Sequence, residues 1–309
     1  MSFQSQFRRF HEAILLKRFQ ENAELRDKRD KIFKTLNGNL AAGTPSFQPF
    51  NQGSYEMGTG IKPLDKDYDI DVGILFDVDY RKHDPNTVKS WVYNAVQRQT
   101  SHVEWRRPCI TVYYYDGGEP KFHVDLAVFA KDVSGGPWRL ALGKQNAARE
   151  HQEWQRDDRV GFADAIERKY SGDDAAQFRR VIRYLKRWKD VHFSSEGRAA
   201  PTGLSLTVAA YSWFQPTKRQ QGGTVEYDDL AALWQVVHSM GQKFGIPPQR
   251  LSLYFPNAPQ DDVFAQMKDQ QMLELRNRLE KLKGWLEEAR KNNDVEPLRK
   301  AFGDDFPKT

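Results

Sequence analysis

Cysteine is almost missing from this chain: Cys109 is the sole one among 309 residues. That excludes an internal disulfide and any zinc site built on cysteine thiolates. No run of about 18 apolar residues occurs, so no membrane span is expected. The opening MSFQSQFRRFHEAILLKRFQ has an early arginine pair but no adequate apolar stretch for a secretory leader, and a cytoplasmic protein is the simplest expectation. Internal repeats and low-complexity tracts are absent. The 7 histidines show no H-x-x-x-H or other metal spacing and read as packing or surface residues.

What is present is a polar, aromatic-rich globular composition. Hydrophobic residues make up 39% and charged residues 29%, and the 8 Trp, 12 Tyr and 19 Phe suffice for a substantial core. The 47 basic residues exceed the 42 acidic ones, for a net charge of +5. A pI near 9.1 favours anionic partners such as nucleotides, nucleic acid or phosphates.

Phe7, Phe10, Ile14, Ile32 and Leu36 follow steps of three and four, which predicts a long N-terminal amphipathic helix, whole or broken in two, from Phe3 to Leu36. A Gly/Asn/Pro/Ser loop follows from Asn37 to Pro49. Tyr68–Phe76 reads as a strand, Asp84-Pro85 as a break, and PNTVKSWVYNAVQRQ as a helix. PCITVYYYD and KFHVDLAVFA, separated by Gly117-Gly118, predict a hairpin. Residues 131–174 are expected as loops and short helices.

Beyond Asp174 strand signals nearly vanish, and four helices are expected in AAQFRRVIRYLKRWKDVHF, LSLTVAAYSWF, YDDLAALWQVVHSMGQKF and DVFAQMKDQQMLELRNRLEKLKGWLEEARKNN. In the last, Met272, Leu275, Leu279, Leu282, Leu286 and Ala289 form a seam that reads as core-facing rather than as a coiled-coil partner face. Asp157-Asp158 and Asp261-Asp262 read as caps or turn acids, and the tail FGDDFPKT as a frayed end. The expected fold class is α+β. Residues 1–170 hold the N-terminal helix and the sheet, and residues 171–309 a helical domain.

The chemistry concentrates in NQGSYEMGTGIKPLDKDYDIDVGILF, residues 51–76. Strand alternation puts Asp69 and Asp71 on one face, roughly 7 Å apart, with Ile70, Val72 and Ile74 on the other. Two like charges on a half-buried surface are costly unless a cation neutralises them. In FHVDLAVF a third carboxylate, Asp125, alternates likewise with Phe122, Val124 and Leu126. If the two strands lie side by side, three aspartates meet, a donor set suited to Mg²⁺ or Mn²⁺. Two such ions about 4 Å apart activate an attacking hydroxyl and stabilise a leaving pyrophosphate. Gly53-Ser54, 15 residues ahead of Asp69, add a glycine that lets backbone approach phosphate and a hydroxyl that donates to it.

Gly-Ser, D-x-D and the later aspartate resemble the signature of the polymerase-β-like nucleotidyltransferases. The longer QGSYEMGTGIKPLDKDYDIDVGI resembles the bacterial cGAS/DncV-like branch, the CD-NTases. The resemblance covers residues 52–129 strongly and the helical half only by pattern. It implies a polymerase-β-like core, a mixed sheet with flanking helices, followed by a helical bundle. It further implies that Asp69, Asp71 and Asp125 hold two Mg²⁺ ions, that Asp125 helps deprotonate the attacking ribose hydroxyl, and that Gln52, Gly53 and Ser54 cradle the donor triphosphate.

In FRRVIRYLKRWKD, Phe178, Val181, Ile182, Leu185 and Trp188 form an apolar arc, with Arg179, Arg183 and Lys186 along one neighbouring side. The arginines read equally as a solvated basic face. For Lys186 and for Ser205, in PTGLSLTVAAY, the resemblance implies nucleotide contacts, because related enzymes carry a lysine and a serine at the matching places. The local alternative for Ser205 is a helix-start cap or packed hydroxyl. Animal relatives have an aromatic directly after that serine, whereas this chain has Leu206, so base stacking would fall to Trp138, Trp154 or Tyr211 if it occurs. The animal zinc-dependent DNA-reading insert is absent, since one cysteine cannot build it.

The expected function is a nucleotidyltransferase that joins NTPs, ATP among them and GTP as a further substrate, into a cyclic di- or trinucleotide with release of pyrophosphate. Its product would feed an effector in bacterial anti-phage signalling. A regulatory protein partner is compatible, and a monomer is expected. RNA-end addition or AMP transfer to a protein by the same fold, and a non-catalytic nucleotide-binding module, are the alternatives.

Overall fold

Val, Ile, Phe and Tyr dominate the runs at 68–79 and 110–131, and bulky β-branched and aromatic side chains suit a pleated, half-buried surface. In the computed structural model both runs are strands of one sheet. The structure describes residues 2–16, 21–64, 68–194, 200–221, 223–245, 250–256 and 260–308. In chain order the elements are α1 (Gln4–Ile14), α2 (Glu21–Asn39), β1 (Phe47–Asn51), α3 (Gly53–Glu56), β2 (Tyr68–Asp79), α4 (Pro85–Val96), β3 (His102–Trp105), β4 (Ile110–Asp116), β5 (Glu119–Lys131), β6 (Arg139–Leu142) and β7 (Glu153–Arg156). Then follow α5 (Arg159–Lys169), α6 (Gly172–His192), α7 (Gly203–Trp213), β8 (Lys218–Gln221), β9 (Thr224–Tyr227), α8 (Asp229–Gln242), α9 (Asp269–Asn292) and α10 (Glu296–Phe302).

The chain divides into two units: residues 16–57 with 62–163, and residues 1–15 with 58–61 and 164–309. In the first, a mixed sheet runs in the order β1-β2-β5-β4-β3, with β6 joining β5 and β7 joining β6. β5 lies parallel to β2 and antiparallel to β4 and β6. One sheet face buries Ile70, Val72, Ile74, Phe76, Val124, Leu126 and Val128 together with Ile32 and Leu36 of α2 and Val88, Val92 and Val96 of α4. A smaller apolar group, Leu75, Ala127, Phe129, Leu140 and Leu142 with Phe50 and Trp138, occupies the other face. Lys89 of α4 is fully buried. Its ammonium donates to the carbonyls of Arg106 (2.7 Å), Arg107 (2.8 Å) and Gly143 (2.8 Å), three acceptors for its three N–H bonds.

The second unit is helical. The 21-residue α6 buries not only Phe178, Val181, Ile182, Leu185 and Trp188 but also Arg180, Arg183, Lys186 and Arg187. Arg180 makes a two-pronged ion pair with the fully buried Asp229 at 2.6 and 2.8 Å. Gln177 Nε2 donates to the same carboxylate at 3.2 Å, and the Tyr184 hydroxyl lies 2.9 Å from it. The Asp229 amide donates to Gln4 Oε1 at 2.8 Å, which ties α1 to the start of α8. Around this network Phe7 and Phe10 pack on Tyr184, Phe302 and Phe306.

Several expectations change. In place of one long N-terminal helix there are α1 and α2, and residues 1–15 group with the helical unit, because Phe7, Phe10 and Ile14 find their apolar partners there. The stretch 131–174 holds two strands, β6 and β7, and the helical half holds the β8–β9 hairpin; four-residue strands are too short for alternation to stand out. The last long helix starts at Asp269, seven residues later than expected, while its seam from Met272 to Ala289 is buried as expected. The tail is no frayed end, since Phe302 and Phe306 are fully buried. On the basic side of α6, Arg183 and Lys186 are buried, whereas Arg179 is half-buried and pairs with the exposed Glu167. Asp157, Asp158 and Asp262 are turn acids that accept from Arg159 N, Gly161 N and Phe264 N. Among the described residues no helix is long and apolar enough to cross a membrane.

Two outcomes follow. Asp229→Asn leaves the buried Arg180 without its counter-charge and is expected to cost about 3 kcal/mol in denaturant unfolding; an unchanged midpoint would remove the network from the account of stability. Burial, then the neighbouring Arg183 and Arg180 charges, push the His11 pKa down to about 4. The unfolded chain therefore takes up the proton first. His11 contributes stability above about pH 6.5 that is lost towards pH 4, on the order of 2 kcal/mol. His11→Gln should flatten that part of the stability–pH curve.

Candidate active site

β2 and β5 pair in parallel with Asp71 directly opposite Asp125, and Val72 opposite Leu126. Direct partners on neighbouring strands share a face, about 4.8 Å apart at the backbone. The same register that sends Ile70, Val72, Val124 and Leu126 into the core therefore turns Asp71 and Asp125 together to the opposite face, both half-buried. The backbone of Asp69 pairs with His123, while its side chain, like residues 65–67 of the motif, lies outside the described residues.

The Gly-Ser turn meets this pair. Gln52 N donates to the Asp71 carbonyl at 3.1 Å and anchors the end of β1 beside β2. Gly53 then opens the one-turn α3 at φ +68, a conformation that disfavours any side chain. A Cβ there would fall inside the Asp71 carboxylate, so the backbone comes against the acid only because glycine is present. Ser54 follows on α3, half-buried. Gln52 is 4% exposed, and its Oε1 has no hydrogen-bond partner. Burial without a partner costs free energy unless a ligand supplies one.

Asp125 is held from the other side. Thr111 Oγ1, fully buried on β4, donates to Asp125 Oδ1 at 2.6 Å. Cys109 Sγ lies 3.5 Å from the same hydroxyl. Burial and then the Asp125 charge push the Cys109 thiol up to about 12, so it is no thiolate nucleophile near neutral pH. On the same face, Arg106 Nε donates to Glu104 at 3.0 Å, and the guanidinium also bonds the Tyr113 hydroxyl.

Lys186 and Ser205 lie in the helical unit. Lys186 Nζ donates to Thr59 O and Oγ1, both at 3.1 Å, and Arg183 to the carbonyls of Gly60 (3.2 Å) and Gly58. These cations hold the segment 58–60 that follows the Gly-Ser turn. Ser205 sits in the first turn of α7, where its amide donates to the capping Thr202 Oγ1 (3.0 Å) and its hydroxyl to Thr202 O (2.8 Å). Of the stacking candidates, Trp138 packs on Phe50 at 5.1 Å, Trp154 donates to His83 O at 2.8 Å, and Tyr211 lies under Lys169 at 4.3 Å.

An acidic pair on adjacent strands, with a glycine turn closed on one member, fits hard divalent cations held by carboxylates and phosphate oxygens. Among the described residues no third metal-ligating side chain joins the pair. Sequence reasoning named Gln52 but missed Thr111.

The fold is shared with bacterial dinucleotide-synthesising nucleotidyltransferases. The Bradyrhizobium diazoefficiens CD-NTase CdnG, solved with GTP, superposes with a TM-score of 0.77 at 15% identity, covering 98% of this chain and 96% of that one. The Vibrio cholerae di-nucleotide cyclase DncV follows at 0.71 and 13%, over 99% and 97%. A cyclic GMP-AMP synthase of Escherichia albertii is 27% identical over 168 residues, 51% of this chain but only 35% of that relative's length. Residues 46–129 match the family described as Cyclic GMP-AMP synthase DncV-like, nucleotidyltransferase domain. The sheet-bearing part of the chain is thus similar in sequence, and the whole chain in fold, to bacterial CD-NTases.

Gly53→Ala is expected to keep the circular-dichroism spectrum and to weaken Mn²⁺ binding, read by isothermal titration, by at least about tenfold. Unchanged binding would show that the close approach to Asp71 has no part in the site.

Proposed function

We propose that the chain is a cyclic-oligonucleotide synthase, which joins nucleoside triphosphates into a cyclic di- or trinucleotide and releases pyrophosphate. The observation that carries this reading is the direct pairing of Asp71 with Asp125 on one sheet face beside the Gly53 turn. Asp69, Asp71 and Asp125 would hold two divalent ions, Mg²⁺ or Mn²⁺. When bound, these supply positive charge that offsets the build-up on the phosphoryl and pyrophosphate oxygens.

The chain's own part is placement. Backbone amides and hydroxyl at Gly53 and Ser54 hold the donor triphosphate, and the open Gln52 oxygen accepts from a substrate hydroxyl or amino group. Asp125 takes the proton of the attacking ribose hydroxyl, which stands in line with the α-phosphate. The resemblance adds Lys186 and Ser205 as nucleotide contacts. GTP is the first candidate substrate, because CdnG was solved with it, and ATP the second. The enzyme acts in the cytoplasm, and its product activates an effector in defence against phage.

Incubation of the protein with Mg²⁺ and mixed NTPs is expected to yield a phosphatase-resistant product of cyclic mass by mass spectrometry. Asp71→Ala should abolish it. Products that grow on an RNA end would assign the fold to RNA tailing instead, and tight NTP binding without turnover would make the chain a binding module.

A further inference from the structure

Counting back from a two-residue loop at Gly117-Gly118, with Asp116 opposite Glu119, would place Thr111 opposite Val124, on the core face of the sheet. The structure pairs Thr111 with Asp125 instead, because the register shifts by one residue between Tyr114 and Tyr115. A one-residue slip moves a side chain to the other face, and irregularities of this kind re-aim side chains next to functional sites.

Its consequence is specific. Thr111 is fully buried, and its hydroxyl has a single hydrogen, which goes to Asp125 Oδ1 at 2.6 Å. That hydrogen is therefore not available to Cys109 Sγ, 3.5 Å away, whose thiol faces both Thr111 Oγ1 and the Asp125 carboxylate as acceptors. Both buried donors, Thr111 and Cys109, therefore serve the Asp125 carboxylate. A carboxylate on a single χ1–χ2 stem turns easily unless something fixes it, and a buried hydroxyl at one oxygen does so.

We infer that Thr111 is a positioning residue: its hydroxyl sets the carboxylate of Asp125 for the divalent ion and for the attacking hydroxyl. This rests on the nucleotidyltransferase reading above. Thr111 acts through Asp125, the group its hydroxyl bonds. Outer-shell partners of ligating carboxylates typically account for 10–100-fold in metal affinity or activity.

The test compares Thr111→Val, which keeps shape and loses the hydroxyl, with Thr111→Ser, which keeps the hydroxyl, and with Asp125→Ala. Mn²⁺ affinity without nucleotide is read by isothermal titration, and kcat and KM are read with GTP and ATP. Thr111→Val should weaken Mn²⁺ binding and lower kcat by about 10–100-fold, with KM moved far less. Thr111→Ser should stay within about threefold of the parent on each measure. Thr111→Cys, with a weaker donor, replaces the valine variant if that does not fold, and the same losses are expected. Parent-like binding and kcat in the valine variant overturn the inference, as does a folded serine variant as impaired as valine. If Asp125→Ala loses Mn²⁺ while Thr111→Val keeps it, the positioning role alone fails; if Asp125→Ala binds Mn²⁺ normally, the metal-site reading fails with it.

Discussion

Two carboxylates that face each other across neighbouring parallel strands repel, and the sheet holds them there regardless. Asp71 and Asp125 cannot separate without a slip of β2 against β5, and any one-residue slip would pull Ile70, Val72, Val124 and Leu126 out of the core they share with α2 and α4. Burial of one such side chain contributes about 1.5–3 kcal/mol, so several together outweigh the repulsion of a half-exposed acidic pair. The apolar face thus fixes the geometry of the polar one. A divalent cation would relieve what remains, and the pair is better seen as a preformed half-site than as a defect.

The surrounding groups follow from this constraint. Gly53 is needed because Asp71 already occupies the space a side chain would take. Thr111 anchors Asp125, and Cys109 behind it stays a protonated donor. The helical unit answers a different demand. Its central helix α6 carries cations on a buried surface, and three of them are given acceptors: Asp229 for Arg180, the carbonyls of Gly58 and Gly60 for Arg183, and Thr59 for Lys186. Residues that look like a charged exterior by periodicity are in fact tied into the interior, since desolvated cations without partners would be too costly.

Period-two alternation at 68–76 and 122–129, the Gly117-Gly118 turn and the heptad-like seam from Met272 to Ala289 are local signals, and each matches the structure. They were enough to put Asp71 and Asp125 on the non-core face of their strands and to locate the Gly53 turn. Nothing local says that β2 and β5 lie side by side in parallel, since α4, β3 and β4 come between them in the chain. Short strands such as β6–β9 carry too few residues for a period, and Phe302 and Phe306 are apolar anchors only because α1 and α6 supply the partners.

The amino-acid sequence by itself therefore determined which residues alternate, where the chain turns, and which acids are candidates for an ion. Tertiary structure decided which of them meet. Pairing and register are set by side chains distant along the chain burying one another, and the irregularity between Tyr114 and Tyr115 that brings Thr111 to Asp125 is such a non-local outcome: counting from the turn alone gives the other face.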